Sequence, residues 1–274
     1  MRQSQGVLRV LDGLSPLQPT PLLSAEDLTI RFGGLTAVDG VSLRLEGGEL
    51  VAIIGPNGSG KTTLFNILNG IYRPHAGRIL LKGEDVTGLP ADQIARRGVG
   101  RTFQISRLFL DLSVLDNVLL GRVGTNRLAW LAPLLRPKQA AEELADHAAR
   151  AYALLEEWAP DLAARCYRPA RELTLVERRR LEICRALASD PDLLLLDEPS
   201  AGMDARETRE LMEEIRRLRV RRPEIGIALI EHDMSVVRGL ADRVVVLNYG
   251  RKIAEGTFDE VAASREVREA YLGT

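Results

Sequence analysis

Residues 55–62 read Gly-Pro-Asn-Gly-Ser-Gly-Lys-Thr, and Thr63 follows. The stretch satisfies G-x-x-x-x-G-K-[ST] in full, directly after the apolar run Leu50 to Ile54 and at the start of a segment whose Leu64, Ile67 and Leu68 share one helical face. Such a loop binds phosphate by aiming successive backbone N–H groups into one concavity, and glycines allow both the turn and the close approach. Gly55, Pro56, Asn57, Gly58, Ser59 and Gly60 would form the cradle, with Thr63 at its far end. Lys61 would place its ammonium on the β and γ phosphates, and the Thr62 hydroxyl would reach Mg²⁺. A nucleoside triphosphate is the expected ligand. A second spot lies where the run Leu193 to Leu196 ends in Asp197-Glu198-Pro199. Strand ends of this kind face the ligand in an open α/β sheet. Asp197 is placed to hold Mg²⁺, and Glu198 to polarise a water towards the γ phosphate. Alone, the pair reads as a solvated helix cap, and only the phosphate loop gives it a catalytic meaning.

These groups need strands to carry them. Short apolar runs at Ala25 to Ile30, Leu50 to Ile54, Arg78 to Leu81, Leu193 to Leu196, Ile225 to Ile230 and Arg243 to Leu247 are predicted strands. A helix is predicted over residues 207–218, with Leu211, Met212, Ile215 and Leu218 as its buried stripe. Between about Ser106 and Ala188 strand signals vanish and Ala, Leu, Arg and Glu dominate. Near-continuous apolar strands alternating with helices imply a largely parallel sheet covered on both faces. The helical stretch is then an insertion into an α/β core. Residues 1 to about 22, with Pro16, Pro19 and Pro21, read as a loose tail.

Composition excludes several classes. A chain of 274 residues accommodates one or two domains. Lys plus Arg number 37 and Asp plus Glu 38, a net charge of −1, so no global field favours nucleic acid or an anionic membrane. Two cysteines, Cys166 and Cys184, are too few for a disulfide framework or a metal cluster, which fits a reducing compartment. No apolar run approaches the roughly 18 residues of a spanning helix, and the N-terminus lacks a secretory h-region. Arg178 to Arg180 with Arg185 reads as a solvated helix face, and residues 128–135 as a packed loop.

Taken together, GPNGSGKTT, Gln104 in RTFQ, LLLLDEPSAGMD and Ile230-Glu231-His232-Asp233 resemble, in order and spacing, an ABC-type ATPase subunit, from about Leu23 to the C-terminus. RFGGLTAVDGVSL, RTFQISRLF, IEHDMSVV, DRVVVLNYGRKIAEG and the terminal AYLG are further similar to the ATP-binding subunits of bacterial branched-chain amino acid importers. The resemblance implies a P-loop NTPase (RecA-like) α/β core with an inserted all-helical subdomain and a small antiparallel β region. Its parts would be a core over 23–105 and 189–250, a helical subdomain over 106–188 and a C-terminal extension over 251–274. Phe32 would stack on adenine, Gln104 would reach Mg²⁺ and the attacking water, and His232 would contact the γ phosphate. Asp204 would lie in a loop crossing a dimer interface, where it also reads as a helix cap with Glu207. The implied activity is ATP hydrolysis driving solute import, with ATP and Mg²⁺ as cofactors. Implied partners are a second ATPase subunit, two transmembrane permease subunits and, indirectly, a solute-binding protein, but no nucleic acid. The implied place is peripheral, at the cytoplasmic face of the inner membrane. Alternatives are a nucleotide-gated subunit of low turnover, an importer of urea or short amides, and a soluble ABC protein of DNA repair or the ribosome.

One motif departs from the family. Leu173-Thr174-Leu175-Val176-Glu177 stands where Leu-Ser-Gly-Gly-Gln is expected. That signature acts in trans, closing a hydroxyl and glycine amides on the γ phosphate held by the other subunit. Leu175 and Val176 add side chains where a backbone should approach, and Glu177 adds negative charge. A weakened second site, and hence a heterodimer, is the expectation.

Overall fold

The strand β3 (Leu50–Ile54) is apolar at every position because both of its faces are covered. Val51 and Ile53 point into one hydrophobic cluster, whereas Ala52 and Ile54 point into another. In the computed structural model, which describes residues 20–104, 107–122 and 137–272, β3 lies inside a six-stranded sheet. The order is β10-β9-β3-β8-β7-β6. Its other members are β6 (Val99–Arg101), β7 (Leu193–Asp197), β8 (Gly226–Ile230), β9 (Arg243–Asn248) and β10 (Arg251–Gly256). Every pairing is parallel except that of β10 with β9. Alternation partitions the strands: Leu193, Leu195, Ala228 and Ile230 face the side of Val51, and Leu194, Leu196, Ile227 and Leu229 face the other.

Against the Val51 face packs α1 (Lys61–Leu68), which buries Leu64, Phe65, Ile67 and Leu68. The same cluster takes in a four-stranded antiparallel sheet of order β2-β1-β4-β5. Its strands are β1 (Leu23–Phe32), β2 (Leu35–Leu45), β4 (Ala76–Leu81) and β5 (Glu84–Asp85). Short α2 (Ala91–Ala95) adds Ile94 beside them. The chain leaves the main sheet after β6 and re-enters at its neighbour β7. Between lie α3 (Val114–Arg122), α4 (Pro137–Trp158), α5 (Pro160–Ala163) and α6 (Leu175–Leu187). Their Val118, Leu155, Leu162 and Leu181 share a cluster with Leu194, Leu196, Ile227 and Leu229, so the helical block packs on the opposite face.

In α7 (Ala205–Arg221) the stripe Leu211, Met212, Ile215 and Leu218 is buried as expected. Asp204 caps the helix by accepting from the N–H groups of Arg206 at 2.7 Å and Glu207 at 2.8 Å. The helices α8 (Met234–Leu240), α9 (Phe258–Ala263) and α10 (Arg265–Leu272) follow, and Val237, Val261 and Val267 cover Ala52 and Ile54. Cys166 and Cys184 are buried and unpaired, and burial pushes the Cys184 thiol up to about 12.

Two expectations change. Arg178 to Arg180 with Arg185 do not form a solvated face. Arg179 is buried against Glu182 at 3.1 Å, Arg180 pairs with Asp161 and Glu214, and Arg185 donates to the Arg107 carbonyl. Each of these charges finds a carboxylate or carbonyl partner, as partly buried guanidinium groups require. The second change is β2, which no apolar run announces: Val38, Val41, Leu43 and Leu45 are buried, but a register shift around Gly40 breaks their alternation. The tail expected at 1–22 lies outside the described residues up to 19, as does the stretch 128–135. Leu22 is already buried.

Phe65 is wholly buried where α1 meets both sheets. Phe65→Ala should cost about 3–5 kcal/mol of stability through lost transfer energy and the cavity left behind, read as a lowered urea midpoint with an unchanged slope.

Candidate functional site

The phosphate loop begins where β3 ends, and its glycines are enforced by neighbours. Gly55 has φ +150° and a Cβ there would sit 2.1 Å from the Leu247 carbonyl oxygen. Gly60 has φ +102°, caps α1, and a Cβ would lie 2.4 Å from the Ala37 oxygen. No other residue type fits either position without moving backbone. The helix N-terminus is thereby held open towards solvent, with its free N–H groups and partial positive charge facing outward.

Lys61 is only 5% exposed, and its ammonium donates to the carbonyls of Gly55 at 2.7 Å and Pro56 at 2.9 Å. Burial pulls its pKa below the usual lysine value, and the nearby Glu198 and Asp197 charges oppose that shift. The charge is thus stored on loop carbonyls within the cradle. A cavity of about 950 Å³ opens above. Phe32, residues 57–63, Gln104, Glu198 and His232 line it, so most of the residues singled out from sequence meet in one place. Gly55 and Pro56 form the turn beneath the ammonium, and Asp197 lies behind the wall.

Glu198 anchors the charged end. Its carboxylate accepts from the Gln104 amide at 2.9 Å and bonds the His232 Nε2. Its backbone sits at φ +49°, a left-handed conformation that costs a non-glycine residue energy and that the surrounding hydrogen bonds must enforce. The Glu198 N–H donates to the Ile230 carbonyl at 3.0 Å, which locks that turn to β8. At the opposite end Phe32, the last residue of β1, is 45% exposed with its ring edge-to-face against Tyr72 at 5.2 Å.

Asp197 is 1% exposed and holds an ion pair with Arg101 at 3.1 Å, itself 5% exposed at the side chain. Burial raises the Asp197 carboxyl above its usual range, and Arg101 counteracts that. The guanidinium also lies over the rings of Phe65, at 5.7 Å, and Phe103, at 4.8 Å. Sequence reading passed over Arg101, because a lone arginine in a three-residue strand carries no pattern. Arg179, read from the sequence as part of a solvated helix face, instead donates to the carbonyls of Phe103 at 3.0 Å and Gln104 at 2.7 Å and so fixes the segment that carries Gln104.

The segment 173–177 is not part of this cavity. Thr174 caps α6, Glu177 accepts from the Thr174 N–H at 2.8 Å, and the Glu177 carboxylate pairs with Arg165. That pairing and the cap hold the Glu177 carboxyl below its usual value against burial. Leu175 is exposed and lies beside Gly202.

Arg101→Met would leave the Asp197 carboxylate buried and unpaired. A loss of about 3–5 kcal/mol is expected, measured by thermal unfolding of the nucleotide-free protein, whereas Arg101→Lys should recover part of it.

Residues 38–201 match the family described as ABC transporter, and residues 251–274 match branched-chain amino acid ATP-binding cassette transporter. The chain is 43% identical over 253 residues to the high-affinity branched-chain amino acid transport ATP-binding protein LivG of Escherichia coli (strain K12), covering 92% of this chain and 98% of LivG. It is 42% identical over 256 residues to the corresponding protein BraF of Pseudomonas aeruginosa, with the same coverages. Among solved structures, a nucleotide-free ATP-binding cassette from an ABC transporter superposes with a TM-score of 0.79 at 30% identity, covering 93% of this chain and 100% of that one. A cassette in its ADP conformation gives 0.78 at 29% identity, covering 93% and 99%. With the phosphate loop, the strand-end carboxylates and the helical insertion already in place, these likenesses settle the family: the chain is an ATP-hydrolysing cassette of the ABC transporters.

Proposed function

We propose that the chain energises a bacterial importer of branched-chain amino acids, working from the cytoplasmic face of the inner membrane. The observation that carries the mechanism is Glu198, held between Gln104 and His232 at the charged end of the cavity beside Lys61. The amino-acid cargo rests on the printed function of LivG and BraF, which align along nearly their whole length. Among the described residues no helix is long and apolar enough to cross a membrane. The likeness to LivG and to the ABC transporter family supports separate permease subunits as the path for solute. A solute-binding protein would act through them.

Residues 57–60 receive the phosphates on backbone N–H groups, joined by the Thr63 hydroxyl, above the turn of Gly55 and Pro56, and Lys61 exchanges its two loop carbonyls for phosphate oxygens. Phe32 offers an exposed ring for adenine. Glu198 accepts the proton of the attacking water, with Gln104 orienting that water and His232 facing the γ phosphate. The donor set suits Mg²⁺. Asp197 keeps one buried carboxylate oxygen without a partner, and Thr62 and Gln104 add further hard oxygen ligands at the same end. Bound Mg²⁺ would neutralise charge on the β and γ oxygens.

The altered segment 173–177 supports a heterodimer. Thr174 and Glu177 cap each other, Arg165 takes up the added charge, and Leu175 and Val176 replace bare backbone. In a homodimer both nucleotides would face this segment. With a partner bearing an intact signature, the nucleotide bound by this chain's own loop is closed properly and the partner's is not.

Lys61→Ala should weaken MgATP binding by calorimetry. Glu198→Gln should preserve binding and slow hydrolysis by about 10² to 10⁴-fold in the assembled transporter, as expected for a positioned base. Removing the matching base from the partner ATPase should leave most turnover intact, and equal losses would refute the asymmetry. Uptake of labelled leucine against urea by the assembled complex decides the cargo.

A further inference from the structure

The tip of the hairpin between β9 and β10 carries an aromatic ring that the nucleotide reading leaves unused. Tyr249 has φ +44°, and Gly250 after it has φ +79°. Two consecutive left-handed residues make the tight hairpin turn that asks for Asn, Asp or Gly at its first position. A bulky side chain there is strained, and strain of this kind persists where the residue does something else. The ring does not repay it by packing, since Tyr249 is 86% exposed.

The tip is nonetheless firmly placed. The Gly250 N–H donates to the Ser59 carbonyl in the phosphate loop at 3.0 Å, and the Asp39 N–H donates to the Gly250 carbonyl at 2.8 Å. Tyr249 therefore stands at the rim of the 950 Å³ cavity and lines it together with Phe32, Leu35 and Ala37, and the adjoining Gly250 packs against the main chain of Thr36 and Ala37 in β2. Phe32 has its ring backed by Tyr72. One end of the cavity thus presents apolar surface for a nucleoside, and Tyr249 is the largest exposed part of it.

We propose that Tyr249 is a nucleoside-binding residue, closing on the base and ribose of the bound nucleotide from the hairpin side while Phe32 supports them from the strand side. The proposal rests on nucleotide occupying this cavity. Its chemistry concerns the nucleoside alone, so a ligand of phosphates without base or sugar should not feel the substitution.

The test uses the full chain, titrated by calorimetry with ATP and with inorganic tripolyphosphate. Tyr249→Ala should weaken ATP by about three- to tenfold, the range of one aromatic contact, and leave tripolyphosphate unchanged. Tyr249→Phe should bind ATP as wild type does. Tyr249→Asn, which fits the left-handed turn, should bind ATP as weakly as the alanine variant while raising the thermal midpoint by about 2 °C. Unchanged ATP affinity in Tyr249→Ala would overturn the proposal. Equal loss for ATP and tripolyphosphate would overturn it too, by showing that the substitution disturbed the phosphate loop. A lowered midpoint in Tyr249→Asn would show that the ring serves the fold and would likewise overturn it. Wild-type binding of tripolyphosphate independently reports whether the cavity takes phosphates at all, so a failure there is distinguishable from a failure of Tyr249.

Discussion

A single residue, Ile230, sets the register on which the chemistry depends. It lies opposite Ile53 in β3 and opposite Asp197 in β7. The phosphate loop starts two residues beyond Ile53, Glu198 directly follows Asp197, and His232 comes two residues after Ile230. A slip of one position along β8 would displace one of these ends by about 3.3 Å and turn every side chain of the strand to the wrong face. Burial on both faces makes such a slip very costly, since Ile227 and Leu229 would exchange clusters with Ala228 and Ile230. The two cores therefore hold a ruler as well as the fold.

The site built on that ruler is locally unfavourable. Lys61 and Asp197 are nearly dehydrated, Glu198 has a left-handed backbone, and the Ser59 hydroxyl and one Asp197 oxygen are buried without partners. Each costs energy in the empty protein. An anionic ligand accompanied by a cation would relieve several of these at once, so binding can draw on stress already present. Arg101 stands out here because it satisfies Asp197 from behind and leaves the front of the carboxylate free.

What could be read without coordinates was whatever the chain keeps contiguous. The phosphate loop needs consecutive N–H groups, so its residues adjoin in sequence, and Asp197 and Glu198 adjoin because they end a strand. The buried stripe of α7 was legible because its helix has one wet face. Gly40 hides β2 by breaking the alternation that would announce it, and β6 is too short for any period. Arg101 and Arg179 were hidden for another reason. A buried arginine has the same letter as a solvated one, and only the carboxylates and carbonyls brought from distant segments distinguish them. The Glu177 charge at the altered signature was legible, but its neutralisation by Arg165 was not, for the partner lies 12 positions away in the turn that follows α5.

Arg179 also sits on α6, the helix whose first turn contains the altered signature, while its guanidinium grips the main chain of Phe103 and Gln104. Glu182, one turn further along, accepts from the N–H of Arg107 at 3.0 Å on the far side of the same segment. The helix and the glutamine segment are thus clamped at both ends. Sliding one past the other would break hydrogen bonds to charged groups worth about 1.5–3 kcal/mol each. The clamp acts as a rigid crank. Any displacement of α6 would carry the main chain of Gln104 with it, so the hydrogen bond from Gln104 to Glu198 is tied to where that helix stands.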